Sequence, residues 1–258
     1  MSSTSPLSPV REKLIIASFM GIIGTILLLL TVAGQFWQPD VMGGKSDLRR
    51  YWNELKNNRP FILDEATLAV YNGTKHESTR VIQFHENWVQ WLASFAYHPL
   101  RRTQNTELLI EGQTAECSER AQILKTIAED FGYSCRFVGL GGHVVLEVAD
   151  DGDWRVADPE FGITFPVDVT RLASPLQEPA IVESLRSRGI NNEQIANYLS
   201  ILQSEEDNCR LPIGEAISPR LRMLEDACGW LAWIIPAAFY LSAIGYVLSA
   251  RNGTPQLE

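Results

Sequence analysis

The sequence predicts an α+β fold in which a cysteine-bearing helix packs on an antiparallel sheet, with a transmembrane helix on either flank. Three observations carry that expectation. Two long runs without a charged residue stand near the two ends of the 258-residue chain. A stripe of apolar and small residues at helical spacing begins at Cys117. Two β-rich segments, 143–148 and 154–158, flank the turn signal Asp150-Asp151-Gly152, and Pro159 stops the second.

The first apolar run extends from Leu14 to about Val32. At 1.5 Å per residue, a helix of that length roughly crosses a ~30 Å hydrocarbon core. A cleaved signal peptide is the competing reading, with Arg11 and Lys13 as its basic start and Thr31-Val32-Ala33 as its cleavage site. The run is longer than the roughly 7–15 apolar residues of a signal core, which favours a retained anchor. The second run extends from Ala227 to Ser249, with Trp230, Trp233, Tyr240 and Tyr246 near its ends or flanks. Amphipathic rings prefer the interface. Pro236 lies inside this run, and a membrane helix tolerates it better than a soluble one.

The expected organisation is therefore a cytoplasmic N-terminus (1–13), a span (14–33), a tether (34–60), one domain (61–216), a second tether (217–226), a second span (227–249) and a cytoplasmic tail (250–258). Arg11, Lys13 and Arg251 orient both termini inward by the positive-inside tendency. Lys45, Arg49, Arg50, Arg220 and Arg222 weigh the other way, but a long loop is less bound by its charge. The central domain is then extracytoplasmic and the protein a two-pass membrane protein. A net charge of −9 argues against nucleic acid as a partner, since displacing phosphate counterions needs concentrated Lys and Arg.

Within the middle region, 48–56 reads as a short helix, and Asn72-Gly73 as a hairpin signal. Phe84, Trp88, Trp91, Leu92 and Phe95 fall at helical spacing, a stripe whose default meaning is core packing. Ile181, Leu185, Ile195, Leu199 and Leu202 predict two amphipathic helices broken at Gly189, the second opened by Asn191 and Gln194 at capping-box spacing. Of the four cysteines, Cys228 reads as a small apolar residue, and Cys135 and Cys209 are available to pair in an oxidising compartment.

The segment 112–166 carries the chemistry. Thr114 is the expected N-cap of a helix that Gly132 stops, and Cys117, Ala121, Leu124, Ala128 and Phe131 make its core-facing stripe. Cys117 thus lies in the first turn, where the positive end of the helix dipole favours a thiolate. Register decides whether His143 and Asp158 meet. If Val148 pairs with Asp153 across a four-residue loop (149–152), His143 lies opposite Asp158. If Val148 pairs with Trp154, His143 turns to the other face. The chemistry expected of the three groups is a thiolate attacking a carbonyl, an imidazole moving the proton, and a carboxylate orienting the imidazole.

The order Cys117, a helix, Gly132, Arg136, Val138, Gly142-His143, Glu147-Val148, Trp154 and Asp158-Pro159 resembles the core of the transglutaminase-like superfamily, in its membrane-anchored bacterial form. The resemblance covers about a fifth of the chain. It implies a papain/transglutaminase-like core, a catalytic Cys117, His143 and Asp158, and an amide or peptide substrate at the cell envelope attacked through a thioacyl intermediate. Family members commonly carry glycine just before the cysteine, where this chain has Thr114-Ala115-Glu116. The oxyanion donor has two candidates, the Cys117 backbone N–H and the Gln113 side chain. No metal or other cofactor is expected: there is no CxxC or HExxH, and His143 and Glu147, four apart on a strand, do not converge. The alternative from another class is a catalytically silent module of the same fold that binds a peptide or envelope polymer.

Overall fold

The computed structural model describes residues 8–36, 47–57, 60–76, 80–150, 152–204 and 208–252. Parts of the expected termini and tethers lie outside those residues. The chain forms two compact units, one containing both apolar terminal helices together with residues 82–101, the other containing residues up to Val81 and Arg102–Arg222. The expected single domain over 61–216 is therefore interrupted: residues 82–101 belong with the terminal helices.

In the first unit, α1 (Pro9–Phe36) and α10 (Pro219–Asn252) are each long and apolar enough to cross a membrane. Their side chains are largely bare, with Phe19 at 64% exposure and Leu241 at 71%. A buried helix of a soluble protein would cover them. The two run antiparallel, held by Lys13 Nζ to Ser249 Oγ at 2.8 Å, Thr25 Oγ1 to Tyr240 Oη at 2.8 Å, and Thr31 Oγ1 to the Ala232 carbonyl at 2.8 Å. At Gly24 the helices approach closely: an added Cβ would stand 3.2 Å from Phe239 Cβ and 3.3 Å from the Pro236 carbonyl oxygen. Gly21 meets nothing and is not part of the contact. The segment expected as the second tether is mostly the opening turns of α10, which begins at Pro219. Proline suits a first helical position because its missing N–H is unpaired there anyway.

Trp88, Trp91, Leu92 and Phe95 of the aromatic stripe lie in α4 (Trp88–Ala96), capped by Asn87, whose side chain accepts the Gln90 N–H; Phe84, expected in the same helix, falls in the turn before it. The stripe does not line a core as expected. Trp88 is buried, but Leu92 is 50% and Phe95 67% exposed.

The second unit is mixed helix and antiparallel sheet. Helices α2 (Asp47–Lys56), α3 (Leu63–Gly73) and α5 (Thr106–Gly112) pack around α6 (Cys117–Asp130), and α6 lies on the sheet. The sheet order is β4-β3-β2-β1-β5, with β1 Ser134–Leu140, β2 His143–Asp150, β3 Asp153–Asp158, β4 Ile163–Phe165 and β5 Cys209–Arg210. Asn72-Gly73 closes α3 and makes no hairpin. Short α7 (Val169–Leu172), then α8 (Glu178–Ser187) and α9 (Asn192–Gln203), complete the unit. The break at Gly189, with φ of 77°, and the Asn191/Gln194 capping box stand as the sequence predicts.

Strand alternation divides the sheet into two faces. Cys135, Phe137, Leu146, Val148 and Ala157 share a core with α6, and Val138, Leu140, Val145, Val156 and Phe165 share one with α7–α9. Cys135 and Cys209 are both free. Cys209 sits across from Gly139, four residues along β1 from Cys135, or roughly 13 Å at strand rise, too far for a disulfide.

Candidate active site

The helix carrying Cys117 begins later than Thr114. Glu116 is its N-cap, and Cys117 is the first helical residue. The reason lies upstream. Thr114 is drawn into a parallel bridge with Lys75, in which Lys75 N–H donates to the Gln113 carbonyl at 2.7 Å and Ala115 N–H donates to the Lys75 carbonyl at 3.1 Å. A segment bonded as a strand cannot start the helix. The Glu119 carboxylate accepts the Glu116 N–H at 3.0 Å, the backward half of a capping box. Burial pushes the Glu119 carboxyl up to about 7, with Glu116 adding to the rise and its backbone hydrogen bond, Arg102 and Arg80 opposing it.

Gln113 takes a left-handed C-cap position on α5, with φ of 53°. Its side chain hydrogen-bonds nothing among the described residues. Cys117 N–H stands at the open start of α6.

The β2–β3 register is neither of the two weighed from the sequence. Val148 pairs with Arg155 and Asp150 with Asp153, leaving a two-residue loop at 151–152. That is a shift of two residues from the register that sets His143 opposite Asp158. A shift of two keeps every side chain on its face, whereas a shift of one would invert it. His143 and Asp158 therefore remain on one face as diagonal neighbours, and His143 Nε2 lies 2.7 Å from Asp158 Oδ2. Gly141 and Gly142, with φ of 45° and 99°, make the tight β1–β2 turn that delivers His143 to the start of β2.

Asp158 is fully buried and His143 8% exposed. Burial opposes charge on the imidazole. The Asp158 carboxylate and its hydrogen bond, with a smaller contribution from Cys117 nearby, outweigh that opposition and push His143 up to about 10.

Three further elements hold this pair. The other oxygen of Asp158 accepts the Glu160 N–H at 3.0 Å. The Glu160 carboxylate lies 2.6 Å from His76 Nδ1 and 3.2 Å from Arg120 Nη1, and Arg120 also donates to the Glu160 and Thr74 carbonyls. Burial raises the Glu160 carboxyl, against the pull of Arg120 and His76. Phe161 and Tyr198 stand with ring centroids 5.8 and 5.9 Å from that of His143. The buried Tyr198 hydroxyl faces Asp158 without a well-formed hydrogen bond, and burial and the carboxylate's charge raise its pKa well above 10. The sequence does not single out Glu160, Arg120, Phe161 or Tyr198 for a role at the site. Tyr198 was legible in part, since it fits the buried 195–198–202 spacing of α9.

Arg136, Glu147 and Trp154 brace the sheet instead of touching the site. Buried Glu147 takes Arg136 Nε at 2.6 Å, Arg210 Nη2 at 3.1 Å and the Val169 N–H at 2.7 Å. The Arg136 guanidinium stacks 4.0 Å above the Trp154 ring. No family model, curated protein or solved structure matches this chain.

Proposed function

We propose that the protein is a membrane-anchored, transglutaminase-like thiol enzyme with a papain-like core, acting on an amide or peptide carbonyl at the cell envelope. The observation that carries this reading is one imidazole set 2.7 Å from a buried carboxylate, with a helix-start cysteine close enough to influence it. Three groups whose bland roles are each common make an unusual set in that arrangement.

In the reacting form of the pair the proton is on His143, which is charged at neutral pH, and the sulfur of Cys117 is free to attack. The sulfur adds to the carbonyl carbon, and the carbonyl π pair moves onto oxygen, facing the N–H groups at the start of α6. The oxyanion then collapses and the C–N bond breaks. His143 gives its proton to the departing amine, leaving a thioester on Cys117 and a neutral imidazole. Water or a second amine attacks the thioester and loses a proton to His143, and sulfur leaves as the thiolate. Hydrolysis and acyl transfer differ only in that second nucleophile. Asp158 orients the ring throughout. Both termini lie in the cytoplasm and the site outside it, by the charge argument above.

The full chain in lipid nanodiscs should form a thioester on Cys117 with activated peptide esters, detectable by intact mass, and turn over peptide amides with or without an added primary amine. Cys117→Ala should do neither while keeping its circular dichroism. Turnover retained in Cys117→Ala would remove the enzyme reading.

A further inference from the structure

Phe84, Leu92 and Phe95 are exposed and Trp91 is half-buried; the group is uncharged and belongs to the unit that holds the two apolar helices. We propose that residues 82–101 form a third membrane contact, with α4 lying in the interfacial layer of the bilayer on the side carrying the central region. The proposal rests on α1 and α10 crossing the membrane.

Several observations fix the occupant as lipid. The excursion starts and ends at one point, where Ile82 N–H donates to the Arg101 carbonyl at 2.8 Å. Between those residues α4 is held against the spans. Trp88 Nε1 donates to Thr31 Oγ1 at 3.0 Å, and that hydroxyl also reaches the Ala232 carbonyl. Gly34 meets the backbone beside it so closely that an added Cβ would fall 2.3 Å from the His85 carbonyl oxygen.

Depth follows from helix rise. The apolar run of α1 is centred near residue 23, and Thr31 is eight residues further on, about 12 Å from the midplane. The hydrocarbon boundary is roughly 15 Å from the midplane. Trp88 is therefore tied to α1 close to the depth where indole rings concentrate. Trp230 and Trp233, which bracket Ala232, are 72% and 43% exposed at the same level. On α4, Trp91 packs edge-on between Phe84 and Phe95. No residue of α4 is charged, and its nine residues, about 13 Å long, cannot cross a bilayer. A short uncharged helix with an aromatic face at that depth suits the interface plane.

The test is spin-label accessibility in the full chain, reconstituted in vesicles of phosphatidylcholine and phosphatidylglycerol, on a Cys117→Ser, Cys209→Ser background. Labels go on Leu92→Cys and Phe95→Cys, with Ile22→Cys in α1 and Leu176→Cys in the central unit as references, all of them exposed side chains. Expected is preferential collision with oxygen over a water-soluble nickel chelate at 92 and 95, at a depth shallower than Ile22, while Leu176 favours the chelate. Labels at 92 and 95 that behave like Leu176 overturn the proposal and leave the spans standing. Labels there that reach neither reagent mean a protein surface covers the stripe, which also overturns it. A water-accessible label at Ile22 removes the spans themselves, and the proposal with them.

Discussion

Replacing Asp158 with Asn keeps the side chain's size and its acceptor for the Glu160 N–H but removes the charge beside His143. The rise of His143 from 6.5 to about 10 corresponds to on the order of 5 kcal/mol in favour of the protonated ring. Burial, the largest influence and an opposing one, remains in the variant. The imidazole of Asp158→Asn should therefore titrate at least three pH units lower, near or below 6.5, and be neutral at pH 7. The assay is NMR of the ring Cε1–H signals of the four histidines in the full chain, with His143→Gln assigning the resonance. Turnover should fall as well, because the ring loses the anion that orients it and stabilises its charged form during the reaction. The reasoning fails if His143 already titrates near 6.5 in the wild-type chain, or if Asp158→Asn leaves its titration unmoved.

The same linkage predicts a pH dependence of stability. A histidine raised in the folded state contributes stability that is fully present below 6.5 and lost as pH climbs through about 10, so thermal unfolding in detergent should show a falling midpoint over that window, much reduced in His143→Gln. Glu119 is a carboxyl raised by burial, so the folded state holds its proton longer than the unfolded chain does; stability should decline between pH 4.5 and about 7, and Glu119→Gln, which can still accept the Glu116 N–H, should flatten that decline. Glu147→Ala removes the carboxylate that pairs with Arg136 and caps the Val169 N–H, while Arg210 keeps Asp168; a loss of about 1–3 kcal/mol by denaturant titration is expected, with Cys117 chemistry lost only through unfolding. Gly142→Ala meets no atom within 4 Å but must adopt a φ of 99°, so a loss of about 1–2 kcal/mol is expected from backbone strain alone.

The sequence by itself determined the elements whose signals are local. The two apolar runs become α1 and α10 because an uncharged stretch of that length has one periodicity and one solvent preference. Gly189, Asn191 and Gln194 break and cap α8 and α9 because their backbone and side-chain requirements act within a turn. Cys117 at a helix start follows from the same short-range rules, whereas the sequence left open whether His143 and Asp158 share a sheet face, which the pairing of β2 with β3 decides. Thr114 shows where such rules end: a good cap by residue type, it is claimed by Lys75, a partner 39 residues upstream that no local pattern announces. Register was underdetermined because shifts of two preserve alternation, and only the sum of cross-strand contacts selects the two-residue loop at 151–152.

Tertiary structure alone decided the surroundings of the site and the fate of the aromatic stripe. Glu147 and Arg120 gained their partners, and Tyr198 its place against His143, from segments distant in the chain. The spacing of Phe84, Trp91, Leu92 and Phe95 encodes an apolar helix face but not what meets it. A protein core and a lipid interface reward the same side chains, because both remove apolar surface from water. Which of the two a stripe meets depends on its neighbours in space, and here those neighbours are Thr31 and Ala232 of the two apolar helices.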